Sequence, residues 1–187
     1  MPPVFEPTYP ITTQRLTLRP FATDDLHDLH AYESHPDVTR YLMWDVRDLD
    51  TTRAFLDKKI TRTALHAEGD AIDLAITVTE TGQLAGNCLL IWTSQNNRTA
   101  EIGYVLHPDH HGHGYAAEAA RPLIAYAFQT LGLHRVIGRI DARNTASARV
   151  LEKLGMSREA HFTENELVKG EWADEAVYAI LEREWKP

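Results

Sequence analysis

The middle of the chain alternates apolar and polar positions with a period of two. Residues 72–78 follow this pattern closely and predict a half-buried β-strand. A turn at Thr81-Gly82 leads into a more continuously apolar strand over 84–92, and a second turn at Asn96-Asn97 leads into 100–106, which alternates again. Three strands joined by short turns predict an antiparallel meander.

The part of the chain before this meander has mostly helical spacing. The predicted elements are, in order, a strand over 11–19, a helix capped by Thr23, a short helix after His35-Pro36 and a helix over 50–65. The part after the meander alternates helices and strands. Its predicted elements are a helix over 115–131, a strand over 136–140, a helix over 144–154 and two final strands over 157–167 and 176–181. This order predicts a mixed α/β fold in one domain covering residues 1–187.

Composition narrows the class of protein. A chain of 187 residues that is 43% hydrophobic can bury a substantial core, which excludes a disordered protein, and its single cysteine, Cys88, excludes a disulfide scaffold. No apolar run reaches the roughly 18 residues of a membrane span. Residues 1–10 lack the basic-then-apolar pattern of a signal peptide. A cytoplasmic protein without membrane contact is therefore expected.

The charge bears on partners. The chain has 19 basic and 27 acidic residues, a net charge of −8. Because nucleic-acid binding needs a basic surface, no nucleic-acid partner is expected, and the acidity mildly favours a cationic substrate. The oligomeric state is left open, with a homodimer among the alternatives.

The densest chemical signal is the loop between the third meander strand and the long helix. Gly112 and Gly114 stand one residue apart just before the helix, so backbone N–H groups of residues 111–116 can converge on an anion at the helix N-terminus. Small residues follow at Ala116, Ala117, Ala119 and Ala120, which would leave room for a bulky ligand. The alternative is a tight loop in which the glycines serve geometry alone.

The sequence gives weaker support to two other functions of this loop, dinucleotide binding and metal binding. The pattern Gly112-x-Gly114-x-x-Ala117 resembles a dinucleotide fingerprint, but residues 108–111 separate it from its strand and Ile137 stands where an acidic residue is needed. The loop also carries four histidines, His107, His110, His111 and His113. Zinc ligands normally come from separate elements, so no metal is expected, and partly protonated imidazoles could instead assist an anion.

Three stretches together match a known family. They are residues 100–108 (AEIGYVLHP), residues 112–119 (GHGYAAEA) and the pattern Asn144-x-x-Ser147 that continues to Gly155-Met156. With residues 13–20 and 170–178, they resemble the GNAT acetyltransferase superfamily over nearly the whole chain. The resemblance is nearer to its ribosomal-protein N-acetyltransferase (Rim-type) branch.

This resemblance implies an enzyme that moves acetyl from acetyl-CoA directly to a primary amine. It implies a twisted, mostly antiparallel sheet of about seven strands flanked by helices, with one parallel pair that splays apart around the thioester arm. Cofactor-binding residues would be Val105, Leu106, His111, Gly112, His113, Gly114, Tyr115, Ala116, Asn144 and Arg149. Backbone N–H groups of Val105 and Leu106 would bind the arm and polarise the thioester carbonyl.

The proton chemistry points to a second set of residues. Glu101 is the candidate general base, because it lies on the strand beside the acetyl group; a surface salt bridge is the alternative. Many superfamily members carry a tyrosine acid seven residues after the asparagine, where this chain has Leu151. Ser147 would take its place by hydrogen-bonding the thiolate, with Asn144 near the arm or the amine. Cys88 lies in an apolar strand without an adjacent histidine, which indicates packing rather than a nucleophile.

The sequence says less about which amine accepts the acetyl group and which residues bind it. Trp44, Trp92 and the segment 35–48 could line its pocket or pack in the core, and Arg149 and Lys153 could meet the CoA 3′-phosphate or face solvent. The favoured acceptor is an N-terminal α-amine of a protein or peptide. Alternatives are a small amine (polyamine, aminoglycoside or amino-acid derivative) and a non-catalytic acyl-CoA sensor.

Overall fold

A single eight-stranded sheet organises the protein. The computed structural model describes residues 5–186; residues 1–4 and 187, which the single-domain and N-terminal expectations include, lie outside the described residues. The strands are β1 (Ile11–Thr12), β2 (Leu16–Pro20), β3 (Ala71–Val78), β4 (Leu84–Ser94), β5 (Thr99–Leu106), β6 (Arg135–Asp141), β7 (Ser157–Val168) and β8 (Glu171–Leu181). Their order in the sheet is β1-β2-β3-β4-β5-β6-β8-β7. The predicted meander is confirmed as β3, β4 and β5, which pair antiparallel.

Five helices cover the two faces of the sheet. They are α1 (Leu26–Glu33), α2 (Pro36–Thr39), α3 (Leu49–Ile60), α4 (Tyr115–Gln129) and α5 (Thr145–Lys153). The main core joins α4 and α5 to one face, which carries Leu74, Cys88 and Ile102. A smaller cluster joins α1 and α3 to the opposite face around Ala75, with Val105 packed against it. We call these the α4/α5 face and the α1/α3 face.

The feature that matters most for function is a gap between β5 and β6. These two strands pair in parallel, but only Thr99–Glu101 of β5 lie opposite residues 135–137 of β6. Both strands continue, to Leu106 and Asp141, without pairing each other. The adjacent edges therefore diverge, which agrees with the expected splayed pair, and the gap connects the two faces of the sheet.

The strand β3 is buried on both faces, which corrects the expectation of a half-buried strand. Asp73, on the α1/α3 face, accepts hydrogen bonds from Lys59 Nζ at 2.8 Å and from Asn87 Nδ2 at 2.7 Å. Tyr32 OH donates in turn to Asn87 Oδ1 at 3.0 Å. Buried polar groups must be hydrogen-bonded, and this network meets that requirement beneath α1 and α3.

The N-terminal predictions need three corrections. The predicted strand over 11–19 is a hairpin of β1 and β2, and with both of them the sheet has eight strands within residues 5–186, in agreement with the expected number of about seven. Thr23 does not cap α1; instead, the carboxylate of Asp25 accepts the Ala22 N–H at 2.8 Å. The helix predicted over 50–65 ends at Ile60, because Leu65 leaves it to form a β-bridge with Phe5.

None of the helices within residues 5–186 has the length and apolar character needed to cross a membrane.

Candidate active site

The end of β5 presents backbone donors to the gap. His107 N–H donates to Ala85 O of β4 at 2.8 Å, and the regular pairing of β4 with β5 continues from there. Because donors along an antiparallel strand alternate in direction, the N–H of Val105 points to β4, whereas those of Tyr104 and Leu106 point to the gap. Of the two predicted donors, Leu106 is therefore the one free to meet a ligand, and Tyr104 joins it.

The loop 111–116 leaves its backbone donors open from residue 112 onward, whereas the His111 N–H donates to Pro108 O at 3.0 Å. Gly112 and Gly114 have φ values of 76° and 79°, in the left-handed region that glycine enters without strain. Gly114 is the N-cap of α4 and offers no side chain to cap it. Within the part of the chain that the structure describes, no group accepts a hydrogen bond from the N–H of residues 112–116. Such a row of free N–H groups at a helix N-terminus is an anion site.

Imidazoles hold this loop in shape. The His111 ring Nε2 lies 3.1 Å from Leu106 O, and His113 Nδ1 lies 2.8 Å from His111 O. His113 also stacks on the ring of Tyr115, with centroids 5.3 Å apart. His107 Nδ1 accepts the Asp109 N–H at 3.2 Å. Across residues 5–186, no group of three or more histidine, cysteine or carboxylate side chains is arranged to hold a metal ion.

Two basic side chains border the loop. A Cβ added to Gly114 would lie 3.1 Å from Lys153 Nζ and 3.7 Å from an Arg15 guanidinium nitrogen. Arg15 is paired with Glu118, which also accepts from Thr13 Oγ1 at 2.7 Å and from the Arg15 N–H at 2.8 Å. Sequence reasoning missed Arg15 and favoured solvent for Lys153, but both cations lie beside the open N–H groups.

The structure changes one sequence expectation about this end of the molecule and leaves another open. The four alanines of α4 are buried in the core, so their small size lets the helix pack closely on the sheet rather than leaving space for a ligand. Arg149 is exposed on α5 and forms no ion pair with a residue in the described range. Its predicted contact with the cofactor stays a prediction.

The start of α5 borders the gap on the α4/α5 face. Asn144 caps the helix, with Oδ1 accepting the Ser147 N–H at 3.0 Å. Its amide NH₂ donates to no group among residues 5–186 and can therefore donate to a ligand. Ser147 Oγ lies 2.9 Å from the hydroxyl of Tyr104, which also donates to Ser147 O at 3.0 Å. One pair of hydroxyl groups thus links β5 to the first turn of α5.

Glu101 stands on the opposite, α1/α3 face. Its side chain makes no hydrogen bond with the described residues, and burial raises the pKa of its carboxyl group. The positive charge of Arg139 opposes this rise, whereas Glu175 and Glu166 add to it. Arg139 is itself bonded to Glu175 and, at 2.9 Å, to Glu166. The cation is therefore largely neutralised by other partners, which leaves Glu101 a carboxylate that can accept a proton.

Two positions at which a catalytic group could have stood lie in the core. Leu151 is buried, at 1% exposure, where many superfamily members would place a tyrosine. Cys88 is completely buried opposite Tyr104 and Leu74, and burial strongly raises the pKa of its thiol. The expectation that Cys88 serves packing therefore agrees with its position.

The segment 35–48 and the β7–β8 turn meet beyond Glu101. Lys169, at the turn, donates from Nζ to Thr39 O at 2.5 Å. Arg47 lies over the ring of Trp44 at 3.8 Å and pairs with buried Glu33 at 2.8 Å. Trp92 is instead buried at 4% exposure in the core on the α4/α5 face, which agrees with core packing, the second of its two expected roles.

Comparison with known proteins agrees with this architecture. The family model of the acetyltransferase (GNAT) domain matches residues 15–157. The uncharacterized N-acetyltransferase YnaD of Bacillus subtilis is 34% identical over 94% of this chain and 98% of its own. A GNAT-family acetyltransferase from Bacillus anthracis has a crystal structure that superposes with a TM-score of 0.83, at 34% identity, over 93% of this chain and 99% of that one.

Two further relatives carry names that specify an acceptor. The B. subtilis protein named "Putative ribosomal N-acetyltransferase YdaF" is 37% identical over 56% of this chain and 57% of its own. Spermidine N(1)-acetyltransferase of Escherichia coli is 25% identical over 90% of this chain and 87% of its own. These names describe two different classes of amine.

Proposed function

This chain belongs to the acetyltransferase (GNAT) family and is an acetyl-CoA-dependent N-acetyltransferase, and we propose that its acceptor is the N-terminal α-amine of a protein or peptide. The observation that carries the proposal is the placement of Glu101 at the gap, on the face opposite the anion-binding loop, without a hydrogen-bonding partner among the described residues. Donor and acceptor would thus approach the same gap from opposite faces of the sheet.

Acetyl-CoA binding would use main-chain atoms. The free N–H groups of residues 112–116 would hold the pyrophosphate, with Lys153 adding a positive charge beside Gly114. The arm would then enter the gap, where the N–H groups of Tyr104 and Leu106 can donate to the amide and thioester carbonyls. Donors fixed by a sheet need no reorganisation when charge develops on the carbonyl oxygen.

Glu101 would be the general base. The amine must lose a proton before its nitrogen attacks the thioester carbon, and a carboxyl group with a raised pKa accepts that proton more readily than an ordinary one. An α-amine, with a pKa of about 7.7–8.0, needs far less help than a lysine side chain with a pKa of about 10.4. A carboxylate base therefore suits an α-amine acceptor.

Ser147 and Asn144 would act on the other side of the gap. When the carbon–sulfur bond breaks, the sulfur leaves with the electron pair, and the Ser147 hydroxyl would donate a hydrogen bond to it. Asn144 would fix the first turn of α5 through its cap and offer its free NH₂ to the arm or the incoming amine.

A small cationic amine is the second candidate acceptor. Glu166 and Glu175 lie close enough to Glu101 to raise the pKa of its carboxyl group, and the chain carries a net charge of −8. Carboxylates at the site would attract a second ammonium group, as a polyamine would present. The similarity to spermidine N(1)-acetyltransferase supports this alternative.

An acceptor panel tests the proposal. Purified protein would be incubated with acetyl-CoA and peptides of varied first residue, with matched peptides whose α-amine is blocked but whose lysine is free, and with spermidine. Mass spectrometry would locate the acetyl group. Acetylation of the free α-amine alone supports the proposal, whereas product from spermidine or the blocked peptides favours the second candidate. Thermal stabilisation by CoA without any product would indicate a sensor.

A further inference from the structure

One pair of hydroxyl groups joins β5, beside the gap, to the first turn of α5. Tyr104 OH, from β5, lies 2.9 Å from Ser147 Oγ and 3.0 Å from Ser147 O, in the first turn of α5. The two residues are 43 positions apart in sequence, so the contact depends on the tertiary fold. Tyr104 is partly buried against the main core, and its own N–H points into the gap.

Ser147 needs such a partner to act on a leaving group. A serine side chain rotates among three staggered positions, and its hydroxyl hydrogen rotates again about the carbon–oxygen bond. The Asn144 cap fixes the serine backbone but not its hydroxyl group. A donor held in place beside Oγ would favour one rotamer and one direction for the hydrogen.

The Tyr104 hydroxyl has one hydrogen and two acceptors within reach, which gives two arrangements. When it donates to Ser147 O, the serine hydrogen points back to the tyrosine oxygen. When it donates to Ser147 Oγ, the serine hydrogen is free to turn towards another acceptor. The first arrangement has two hydrogen bonds between these residues and the second has one. The change therefore gives up one hydrogen bond, which the bond from the serine hydrogen to its new acceptor replaces.

We infer that Tyr104 is a positioning residue for the leaving group: its hydroxyl turns to Ser147 Oγ and thereby directs the Ser147 hydroxyl hydrogen to the departing sulfur. The inference rests on the proposed function. The carbon–nitrogen bond forms, the carbon–sulfur bond breaks, the sulfur keeps the electron pair, and the amine proton passes to Glu101. Tyr104 and Ser147 both keep their protons throughout.

The environment of Tyr104 fits a hydrogen-bond donor rather than an acid. Burial raises the pKa of the Tyr104 hydroxyl well above its ordinary value, and the hydrogen bond with Ser147 only partly offsets that effect. A phenol in such surroundings stays neutral over the pH range in which the enzyme would work. It can orient Ser147, but it does not supply the proton of the released CoA.

A double-mutant cycle tests the inference. Tyr104→Phe and Ser147→Ala would be made singly and together, with Tyr178→Phe as the matched control. Tyr178 is a buried tyrosine on β8 that makes no hydrogen bond to Ser147. For each variant, kcat, both KM values, the Kd for CoA and the free energy of unfolding would be measured with the acceptor that the panel identifies.

Tyr104→Phe is expected to lower kcat about five- to tenfold, the effect of one lost hydrogen bond, with KM for acetyl-CoA and the Kd for CoA nearly unchanged. In the Ser147→Ala background the same change should have no further effect on kcat, because the hydroxyl that Tyr104 orients is already gone. Tyr178→Phe should keep the original kcat.

Three results would overturn the inference: an unchanged kcat in Tyr104→Phe, an equal additional loss in the double variant, or a loss confined to stability and CoA affinity. These outcomes leave the proposed function standing, because the unsubstituted protein still turns over. If the unsubstituted protein acetylates no amine at all, the proposed function fails and the role of Tyr104 falls with it.

Discussion

The two ends of the gap differ in kind: main-chain groups form one end and side chains form the other. The end proposed to bind the donor, the loop 111–116, presents the backbone N–H groups of residues 112–116, which two glycines and the start of α4 bring together. The chemical end consists of side chains from three elements: Glu101 and Tyr104 on β5, Arg139 on β6 and Ser147 on α5. A site made of main-chain atoms depends on local conformation, whereas a site made of side chains depends on how distant elements pack.

Because of this difference, we expect the affinity for CoA and the rate of acetyl transfer to depend on different residues. Main-chain donors are present whatever the neighbouring side chains are, so on the proposed assignment the loop would keep its affinity for a phosphate group while the acceptor side changes. The chemical end has no such protection, because each group depends on a partner: Ser147 on Tyr104, and Arg139 on Glu175 and Glu166. Substitutions at the two ends should therefore move different measured quantities.

The largest effect is expected at Glu101. Glu101→Gln removes the general base and should lower kcat about 10²–10³-fold, with the Kd for CoA nearly unchanged. The measurement is steady-state kinetics beside calorimetric titration of CoA. An unaltered pH dependence of kcat/KM in the variant would remove Glu101 as the base.

Glu101→Gln should slow the reaction but make the folded protein more stable. The pKa of Glu101 is raised in the folded protein, so the folded state holds this proton more tightly than the unfolded state, and the ionised carboxylate costs stability above the raised pKa. Glu101→Gln should raise Tm at pH 7, and the gain should shrink as the pH falls through the raised pKa towards 4.5. Thermal melts across this range check the sign.

The next effect is expected at the loop. Gly112→Val should weaken CoA binding about a hundredfold, because a side chain at φ 76° distorts the loop and occupies the space beside the N–H groups. Gly82 has a φ of 72°, is equally free of neighbours and lies in the β3–β4 turn, so Gly82→Val is the control. Both variants should lose similar stability; equal losses of CoA affinity would contradict the assignment of the loop.

A smaller effect is expected at Lys153. Lys153→Met keeps most of the side-chain length but removes the charge beside Gly114, and should raise the Kd for CoA about fivefold at low salt. The difference from the unsubstituted protein should narrow as ionic strength rises. Arg149→Met, at an exposed site on the same helix, is the comparison; a larger effect there would move the phosphate contact to Arg149.

The smallest effect is expected at Asn144, where the quantity that changes is the stability of the protein. Asn144→Ala removes the cap of α5 and should cost about 1 kcal/mol of stability, or about 2–4 °C in Tm. Asn144→Ser keeps a capping oxygen but removes the NH₂ group. If Asn144 only caps α5, the serine variant will have normal kcat and KM; a reduced kcat with normal Tm will show that the amide also acts on the reactants.

The sequence predicted the parts of the fold that depend on local pattern. The period-two meander and the glycine loop were recognisable because each is set by residues close together in the chain. The splayed strands followed from a family resemblance and agree with the structure. The end of α3 was not recognisable, because Leu65 leaves the helical pattern to pair with Phe5, sixty positions away.

The candidate site shows the same division. The spacing of Gly112 and Gly114 predicted a loop with open N–H groups before α4, and its binding of an anion stays a prediction. No pattern predicted that Lys153 would reach this loop from the end of α5. The sequence left two roles open for Trp92, because a strand pattern alone does not say which side an aromatic residue faces, and the β4 register turns it into the core. The contact between Tyr104 and Ser147 depends on the packing of α5, which local spacing does not encode.

The complete burial of Cys88 has a practical consequence. It is the only cysteine in the chain, and its raised pKa keeps it unreactive while the protein is folded. A chromogenic disulfide reagent added during turnover would therefore titrate newly liberated coenzyme without background from the enzyme. In denaturant, the same reagent would give one additional equivalent of colour for each polypeptide that opens, so a single spectrophotometric signal can report both catalysis and unfolding.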